Sequence, residues 1–577
     1  MTTTPAGWLL PLAVLAPFVG LLAGLALGAR FAQRLAVLAI PVGLGAALGV
    51  AWSLWDTAAP VVYVLGGWAA PLGVTLRADL ASAAMLVAVA GVVVGIAAYA
   101  WGDFGMEPAG PEKRAPFVYW LLLLAVWGSL NLVFVSGDLF TLYVALELLT
   151  FSAVPLVCLD GRGETLRAAL RYLLFALAGS MLYLLGAVLL YGGYGTLDIA
   201  LLAGRVRPEP IAWAAATLMT VGLLAKTALF PLHLWLPPAH AGAPAAASAV
   251  LSALVIKGSW FLVVRLWFDA MPGVVTLDAA QLLAGLGTAA IVVGSVVALR
   301  QVRLKLLVAY STIAQIGYLF LMFPLAFDSS GSSLVQGPVL AAGLLQAVSH
   351  ATAKAGMFMA AGVVYQALGH DRIADLGGIA RAMPVTMLAF AVAGLALMGV
   401  VPSGAYLAKK LLLQAAYDSG QWWWTEVLHW GAAFTAGYVV LVLTQALRRP
   451  AVPVPAIKRV SRLSEFAALA LAVASLLLAV AALGPLPSEL VSNPLQPGEF
   501  GSMLLVFAGG ALLALGFAKD SPVRPGGPDG ALRRATVVAG VAFERADMYL
   551  RRWPSAGIAL LSLAALFTGL LLARVTP

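Results

Sequence analysis

Apolar runs of roughly 20 residues recur along this chain, separated by short stretches that hold most of its charges and turn-forming residues. Each run is about long enough to cross a bilayer core of ~30 Å as a helix. The runs lie near residues 8–28, 35–55, 79–101, 117–135, 139–159, 168–192, 211–230 and 245–268, and then near 279–299, 305–325, 338–366, 385–414, 427–446, 464–484, 502–518 and 555–574. The pattern predicts an all-α integral membrane protein of about sixteen helices. The first 29 residues end on Ala-Leu-Gly-Ala like a signal peptide but lack its basic start, so they are read as the first span.

Composition strengthens this reading: 62% of the 577 residues are hydrophobic and 10% charged, against about a quarter charged in soluble domains. A net charge of +9 suggests nucleic acid until the charges are placed. With the N-terminus outside and the spans alternating, roughly 24 of the 34 Lys and Arg residues fall in or beside inner loops and about five outside. Arg30, Arg34, Lys113, Arg114 and the basic run from Arg448 to Arg462 are all inside. The basic excess is therefore topology in a multi-pass protein of the cell's inner (plasma) membrane, with no nucleic-acid partner. The single cysteine, Cys158, excludes an internal disulfide and a cysteine-ligated cluster within the chain, and reads as a small apolar residue.

Two places break the rule that backbone groups in lipid are satisfied within their own helix. The run 223–244 holds Pro231, Pro237, Pro238 and Pro244 close to Lys226, and the run 399–410 holds Pro402 and Gly404 just before Lys409 and Lys410. A proline kink is the bland reading. A lysine beside each break favours an ion pathway, since paired broken helices mark one in transporters. Residues 519–552 are polar and basic, with Lys519, Arg524, Arg533, Arg534, Arg545, Arg551 and Arg552. The part from Ala531 to Trp553 reads equally as an amphipathic helix on the inner surface or a solvated loop, in either case an appendage or docking element without chemistry.

An ionisable residue in mid-span costs ~2.5–3.5 kcal/mol on insertion scales and is a functional candidate by default. Glu147, Lys226, Lys257, Lys354 and Lys409 occupy such places, and His350 precedes Lys354 by four residues on the same helix face. Any one of them reads alone as half of a structural pair; one per helix across the bundle fits a proton relay better. Burial penalises the charged form of lysine and a nearby carboxylate restores it. A Glu147–Lys226 pair would then hold a proton while close and release it on separation. His233 and His240, beside the first break, are candidates for proton uptake or for bonding carbonyls freed by the prolines. Neither has carboxylate or cysteine companions at ligand spacing, so no metal is expected. Lys305 reads as a snorkelling residue, and Trp422, Trp423 and Trp424 as an interfacial belt.

At these residues the sequence resembles the antiporter-like membrane subunits shared by respiratory complex I (NADH-quinone oxidoreductase) and the Mrp-type multisubunit cation/proton antiporters. The stretch Lys226-Thr-Ala-Leu-Phe-Pro-Leu-His-Leu-Trp-Leu-Pro-Pro-Ala-His240-Ala-Gly-Ala-Pro244 is close to that family's pattern at its first broken helix. Gly137-Asp138-Leu139-Phe140 through Glu147, Leu304-Lys305 through Tyr318, and His350-Ala-Thr-Ala-Lys354 match further signatures, in family order over roughly residues 60–450. The segment from Gly66 to Asp79 leans toward the Mrp D-type branch. The resemblance implies about fourteen core helices with two inverted five-helix repeats and two broken helices, plus about two C-terminal helices. It divides the chain into N-terminal helices (1–115), a translocating core (116–450) and a C-terminal part (451–577). It also implies a midplane proton path through Glu147, Lys226, Lys257, His350, Lys354 and Lys409, hydrated near the two breaks, with H⁺, or H⁺ exchanged for Na⁺, as cargo. No cofactor or redox centre belongs to the chain itself, and other membrane subunits are its partners.

Two features depart from the family. Gly399-Val-Val-Pro402-Ser-Gly404-Ala-Tyr406 lacks a proline and a phenylalanine usual at the second break, and the segment beyond about residue 490 has no counterpart in the core pattern. Lys410 points about 100° away from Lys409, which is preferred as the relay residue. Two other classes stay open: a stand-alone secondary transporter, and a membrane scaffold coupled to inorganic carbon uptake.

Overall fold

The computed structural model describes residues 2–105, 114–335, 337–449, 458–482, 497–518 and 530–572. Lys113, Lys519 and Arg524 lie outside them. The chain runs through α1 (Leu9–Leu27), α2 (Ala29–Thr57), a hairpin of β1 (Val61–Val64) and β2 (Thr75–Ala78), α3 (Leu80–Asp103), α4 (Arg114–Val135), α5 (Leu139–Val157) and α6 (Gly163–Tyr194). Next come α7 (Ile199–Arg205), α8 (Pro210–Thr227), α9 (Leu236–Gly242), α10 (Ala245–Ala270), α11 (Leu277–Leu299), α12 (Leu304–Leu325) and α13 (Pro338–Leu368). The last are α14 (Pro384–Leu397), α15 (Gly404–Asp418), α16 (Trp423–Leu447), α17 (Arg462–Ala482), α18 (Pro497–Phe517), α19 (Gly530–Leu550) and α20 (Trp553–Leu572).

Thirteen helices among the described residues are long and apolar enough to cross a membrane. The protein is a helical, multi-span membrane protein. The apolar runs near 338–366 and 502–518 are also helical, as α13 and α18. The run 385–414 is two helices, α14 and α15, because the break predicted at 399–410 interrupts it. The segment from Gly66 to Asp79 holds the turn and second strand of the β-hairpin, an element that the apolar pattern does not announce.

Both breaks are the same local structure, repeated 171 residues apart (402 − 231 = 171). Ala228 and Gly399 are left-handed, at φ 58° and φ 76°. Leu229 N–H donates to the Leu224 carbonyl and Val400 N–H to the Leu395 carbonyl, each at 3.2 Å. Ala228 and Gly399 donate to the carbonyls of Ala225 and Ala396. These are the paired bonds of a Schellman ending, which satisfy carbonyls that a helix end would leave bare in lipid. Pro231 and Pro402 follow three residues later, where continued helix would have needed their missing N–H. At the first break the Trp235 indole also donates to the Ala225 carbonyl at 3.1 Å. At the second, Ser403 caps α15 through Tyr406 N–H, and Ser349 of α13 accepts from Ala405 N–H, both at 3.1 Å.

Close helix crossings at glycines bring the polar spans together. A Cβ on Gly222 of α8 would lie 2.3 Å from the Gly179 carbonyl oxygen of α6, and one on Gly317 of α12 would lie 2.2 Å from that of Gly287 of α11. Only a missing side chain lets backbones approach so closely, which is the usual reason for small residues between membrane helices. At the end where α3 starts, Arg265 of α10 bonds both Asp79 oxygens (2.5 and 2.9 Å), Asp269 (2.7 Å) and Ser82 (2.6 Å). Burial alone would raise the Asp79 carboxyl, but the Arg265 charge and hydrogen bonds outweigh it and hold the group below its usual 3.8.

Candidate functional site

The α6–α8 crossing sets the first polar cluster. Lys226 lies in the last turn of α8, where the carbonyl end of the helix favours a cation. Its Nζ donates to Ser180 Oγ of α6 (2.5 Å) and to Thr150 Oγ1 of α5 (2.8 Å), and lies 3.3 Å from Glu147 Oε1. Lys226 is buried and the Glu147 side chain is 13% exposed, on a face of α5 whose Phe140, Val144, Leu148 and Phe151 are exposed. Thr227, next in the chain, donates to Ser259 Oγ of α10 at 2.9 Å.

A second cluster joins α10 to α13. The π-helical turn Leu251–Val255 precedes Lys257 and widens the helix there. Lys257 Nζ donates to the Ser252 carbonyl (2.6 Å) and lies 2.5 Å from His350 Nδ1. Such a contact needs one nitrogen with a proton and one with a lone pair, so Nζ and Nδ1 cannot both be fully protonated while it holds. His350 Nε2 is buried without a partner among the described residues. Lys354, one turn on, turns instead to Ser311 Oγ and the Val308 carbonyl of α12. Gln315 of α12 then donates to Thr435 (3.1 Å) and Tyr438 (3.3 Å) of α16 and accepts from Gln346 (3.4 Å).

Beyond these amides lies a cavity of about 20 Å³, room for about one water, lined by Tyr318, Gln346 and Lys409. Lys409 also lines a larger cavity of about 790 Å³ with Lys410, Glu426 and His429. Lys410 reaches only the larger one and lies over the Tyr406 ring at 5.1 Å. Glu147, Lys226, Lys257, His350, Lys354 and Lys409 thus occupy three hydrogen-bonded clusters and a cavity wall. Among the described residues no direct hydrogen bond joins the Lys226 cluster to Lys257, or His350 to Lys354.

The two histidines beside the first break differ. His240 stacks on Phe358 at 4.7 Å, with both ring nitrogens buried and without a partner among the described residues. His233 Nε2 lies 2.8 Å from Asp547 Oδ1 of α19. Ala531 to Trp553 is therefore mostly helical and not a solvated loop, and it docks on the break. Burial would raise the Asp547 carboxyl, but bonds from His233, Arg551 and Tyr310 outweigh it and hold the group below its usual range. Lys305 donates to the Ala243 carbonyl, beside a cavity of about 610 Å³ that also meets Asp160, Arg162, Arg171 and Arg303. Trp422 and Trp423 are exposed, whereas Trp424 is buried. Cys158 is half-buried and free. Among the described residues no group of three or more His, Cys, Asp or Glu side chains is placed to hold a metal ion.

The apolar pattern does not single out Ser180, Thr150, Ser311, Gln315, Gln346 or Asp547. The available signal is weak: a hydroxyl in an apolar span usually bonds its own helix, as Thr150 and Ser180 also do here. Glu426 and His429, one turn apart on α16, form a polar pair that is visible in the sequence but lies too near the start of its span to stand out as mid-span charge.

Residues 136–435 match a family model described as "NADH:quinone oxidoreductase/Mrp antiporter, TM". Among curated proteins, NADH-quinone oxidoreductase subunit N of Desulforudis audaxviator is 34% identical over 451 residues, 76% of this chain and 87% of that one. The D-type subunit of the Na(+)/H(+) antiporter of Alkalihalophilus pseudofirmus is 29% identical over 364 residues, 62% and 70% of the two chains. Among solved structures, a chain of the Mrp complex from Dietzia sp. DQ12-45-1b superposes with a TM-score of 0.71 at 23% identity, covering 92% of this chain and 99% of that one. A chain of the archaeal membrane-bound sulfane sulfur reductase gives 0.71 at 24%, covering 88% and 99%.

Proposed function

This chain belongs to the family of transmembrane subunits shared by NADH:quinone oxidoreductases and Mrp antiporters, and from that premise we propose that it moves protons through its buried basic groups as one membrane subunit of a larger assembly. The observation that carries the reading is the Glu147–Lys226 contact at the end of a broken helix, enclosed by Thr150 and Ser180. Two unit charges 3.3 Å apart attract by about 5 kcal/mol at an effective dielectric of ~20, and by about half that when ~3 Å further apart. A shift of that size eases transfer of the proton away from Lys226 by roughly 2 kcal/mol, about thirtyfold. The Schellman ending lets the first turn beyond Lys226 move without exposing carbonyls.

In this reading Lys226, Lys257, His350, Lys354 and Lys409 pass the proton along the middle of the membrane, and water or side-chain rotation bridges the clusters. The basic face, with Arg162, Arg303 and Lys305, is cytoplasmic, the N-terminus is outside, and the membrane is the plasma membrane. His240 takes up protons from that face. Energy arrives from partner subunits that dock on the exposed face of α5, and the chain carries no cofactor. Exchange of Na⁺ for H⁺ is a second reading, favoured by the name of the Alkalihalophilus relative.

The test is proton and sodium uptake into inverted vesicles holding the native assembly, with Lys226→Ala and Glu147→Gln beside the wild type. Loss of ion movement in both variants, with the assembly intact, supports the relay. Unchanged movement in both means that these charges only hold helices together.

A further inference from the structure

The first break is bonded to a part of the chain that lies well outside the family-matched region 136–435. Helix α19 is amphipathic and carries Glu544 and Asp547 about one turn apart, both directed at the bundle. Glu544 pairs with Arg300 at the end of α11, 2.9 Å away. Asp547 reaches further and is buried. Its Oδ1 meets His233 Nε2 at 2.8 Å, while its Oδ2 accepts from Tyr310 Oη of α12 (2.7 Å) and from Arg551 Nε (2.8 Å). Two donors on one oxygen keep the carboxyl ionised and fixed, so the other oxygen is left as an acceptor for the imidazole.

The remaining ring nitrogen, His233 Nδ1, is buried and has no partner among the described residues. A carboxylate opposite one nitrogen fixes the tautomer, placing the proton on Nε2 and the lone pair on Nδ1. It also balances the charge of the ring when Nδ1 takes up a proton, as the aspartate does in a catalytic Asp–His pair. A purely structural histidine at a helix break is expected to spend both nitrogens on freed backbone groups. Here the Leu224 and Ala225 carbonyls are taken by the Schellman bonds and the Trp235 indole, and His233 bonds a side chain from the far end of the sequence instead.

We infer that His233 is a proton-carrying residue of the pathway and that Asp547 of α19 is its positioning residue. One proton is taken up at Nδ1 and given up from the same nitrogen, and no other bond forms or breaks. The inference rests on the proposed proton translocation and adds to it a site on the first break that depends on the C-terminal helix. Glu544, on the same helix as Asp547, pairs with Arg300, and Asp547 supplies the charge at the break.

The experiment uses the native assembly in inverted vesicles, with Asp547→Asn, His233→Gln, Glu544→Gln and Lys226→Ala. Asp547→Asn keeps the shape and an acceptor oxygen but removes the charge. It is expected to slow proton uptake about tenfold or more, as loss of acid–base function does, while Glu544→Gln stays within about twofold of wild type. Nitrogen NMR of ¹⁵N-histidine protein gives a second readout, with five histidines in the chain and His233→Gln identifying the signal. The wild type should show a single tautomer protonated at Nε2, and Asp547→Asn a mixture. Wild-type uptake in Asp547→Asn overturns the inference; should that variant fail to assemble, wild-type uptake in His233→Gln does the same. If Lys226→Ala is inactive in those vesicles, only this inference falls; if Lys226→Ala is active as well, the relay itself falls.

Discussion

Replacing Gly222 with alanine tests whether the α6–α8 crossing is what holds the first cluster in working geometry. The added Cβ would lie 2.3 Å from the Gly179 carbonyl oxygen, 3.1 Å from Tyr183 N and 3.2 Å from Leu182 Cβ. A carbon and a carbonyl oxygen normally keep about 3.3 Å apart, so α8 must retreat by about 1 Å. Backbone cannot turn aside as a side chain can, and packed interiors pass such strain on. Lys226 lies four residues further on the same face of α8 and moves with it. Its 2.5 Å bond to Ser180 then opens beyond hydrogen-bonding range, and its 3.3 Å contact with Glu147 passes beyond about 4 Å. Overpacking of this kind destabilises by about 1–3 kcal/mol. The expected outcome is a lower melting temperature in detergent and proton uptake reduced about tenfold in vesicles. Gly192→Ala on α6, where a Cβ meets nothing within 4 Å among the described residues, serves as control and should keep wild-type transport. Wild-type uptake in Gly222→Ala, with the assembly intact, would refute the argument that this crossing positions Lys226.

Further outcomes follow from the breaks and the polar clamp beside the hairpin. Gly399→Ala meets only ordinary contacts, the nearest 3.6 Å away, but must hold an alanine at φ 76°. It should lose about 1 kcal/mol of stability in chemical denaturation, with the second break intact. Arg265→Gln strands Asp79 and Asp269, each about a third exposed, and should cost about 2 kcal/mol at neutral pH. Because the folded-state value of Asp79 lies below its usual 3.8, its share of that stability is present above the unfolded value and vanishes as pH falls through the lowered one. The difference between wild type and Arg265→Gln should therefore shrink below about pH 4 in thermal melts, and a constant difference down to about pH 2 would contradict the clamp.

The spans were legible because each is an apolar run with few charges, and the breaks because Pro231 and Pro402 interrupt such runs beside lysines. The isolated charges were legible for the same reason, since Glu147 and Lys257 stand out against apolar neighbours. Their partners were not. Ser180 and Thr150 look in sequence like hydroxyls that bond their own helix, and only the Gly179–Gly222 approach turns them toward Lys226. Asp547 sits among basic residues on the polar side of an amphipathic helix, where a solvated position is the ordinary expectation. Its burial follows from long-range packing of α19 on α11, which no local pattern encodes. The π-helical turn before Lys257 was equally hidden, because Leu-Ser-Ala-Leu-Val suits a regular helix as well.

Passage of protons across the bundle through its buried basic groups can be followed at Lys354, which is fully buried and bonds Ser311 between the two breaks. The measurement is proton flux driven by an imposed pH gradient through liposomes containing the purified assembly, for wild type and Lys354→Ala. Lys354→Ala is expected to abolish the flux while subunit composition is unchanged. Flux at the wild-type rate through Lys354→Ala would contradict that route.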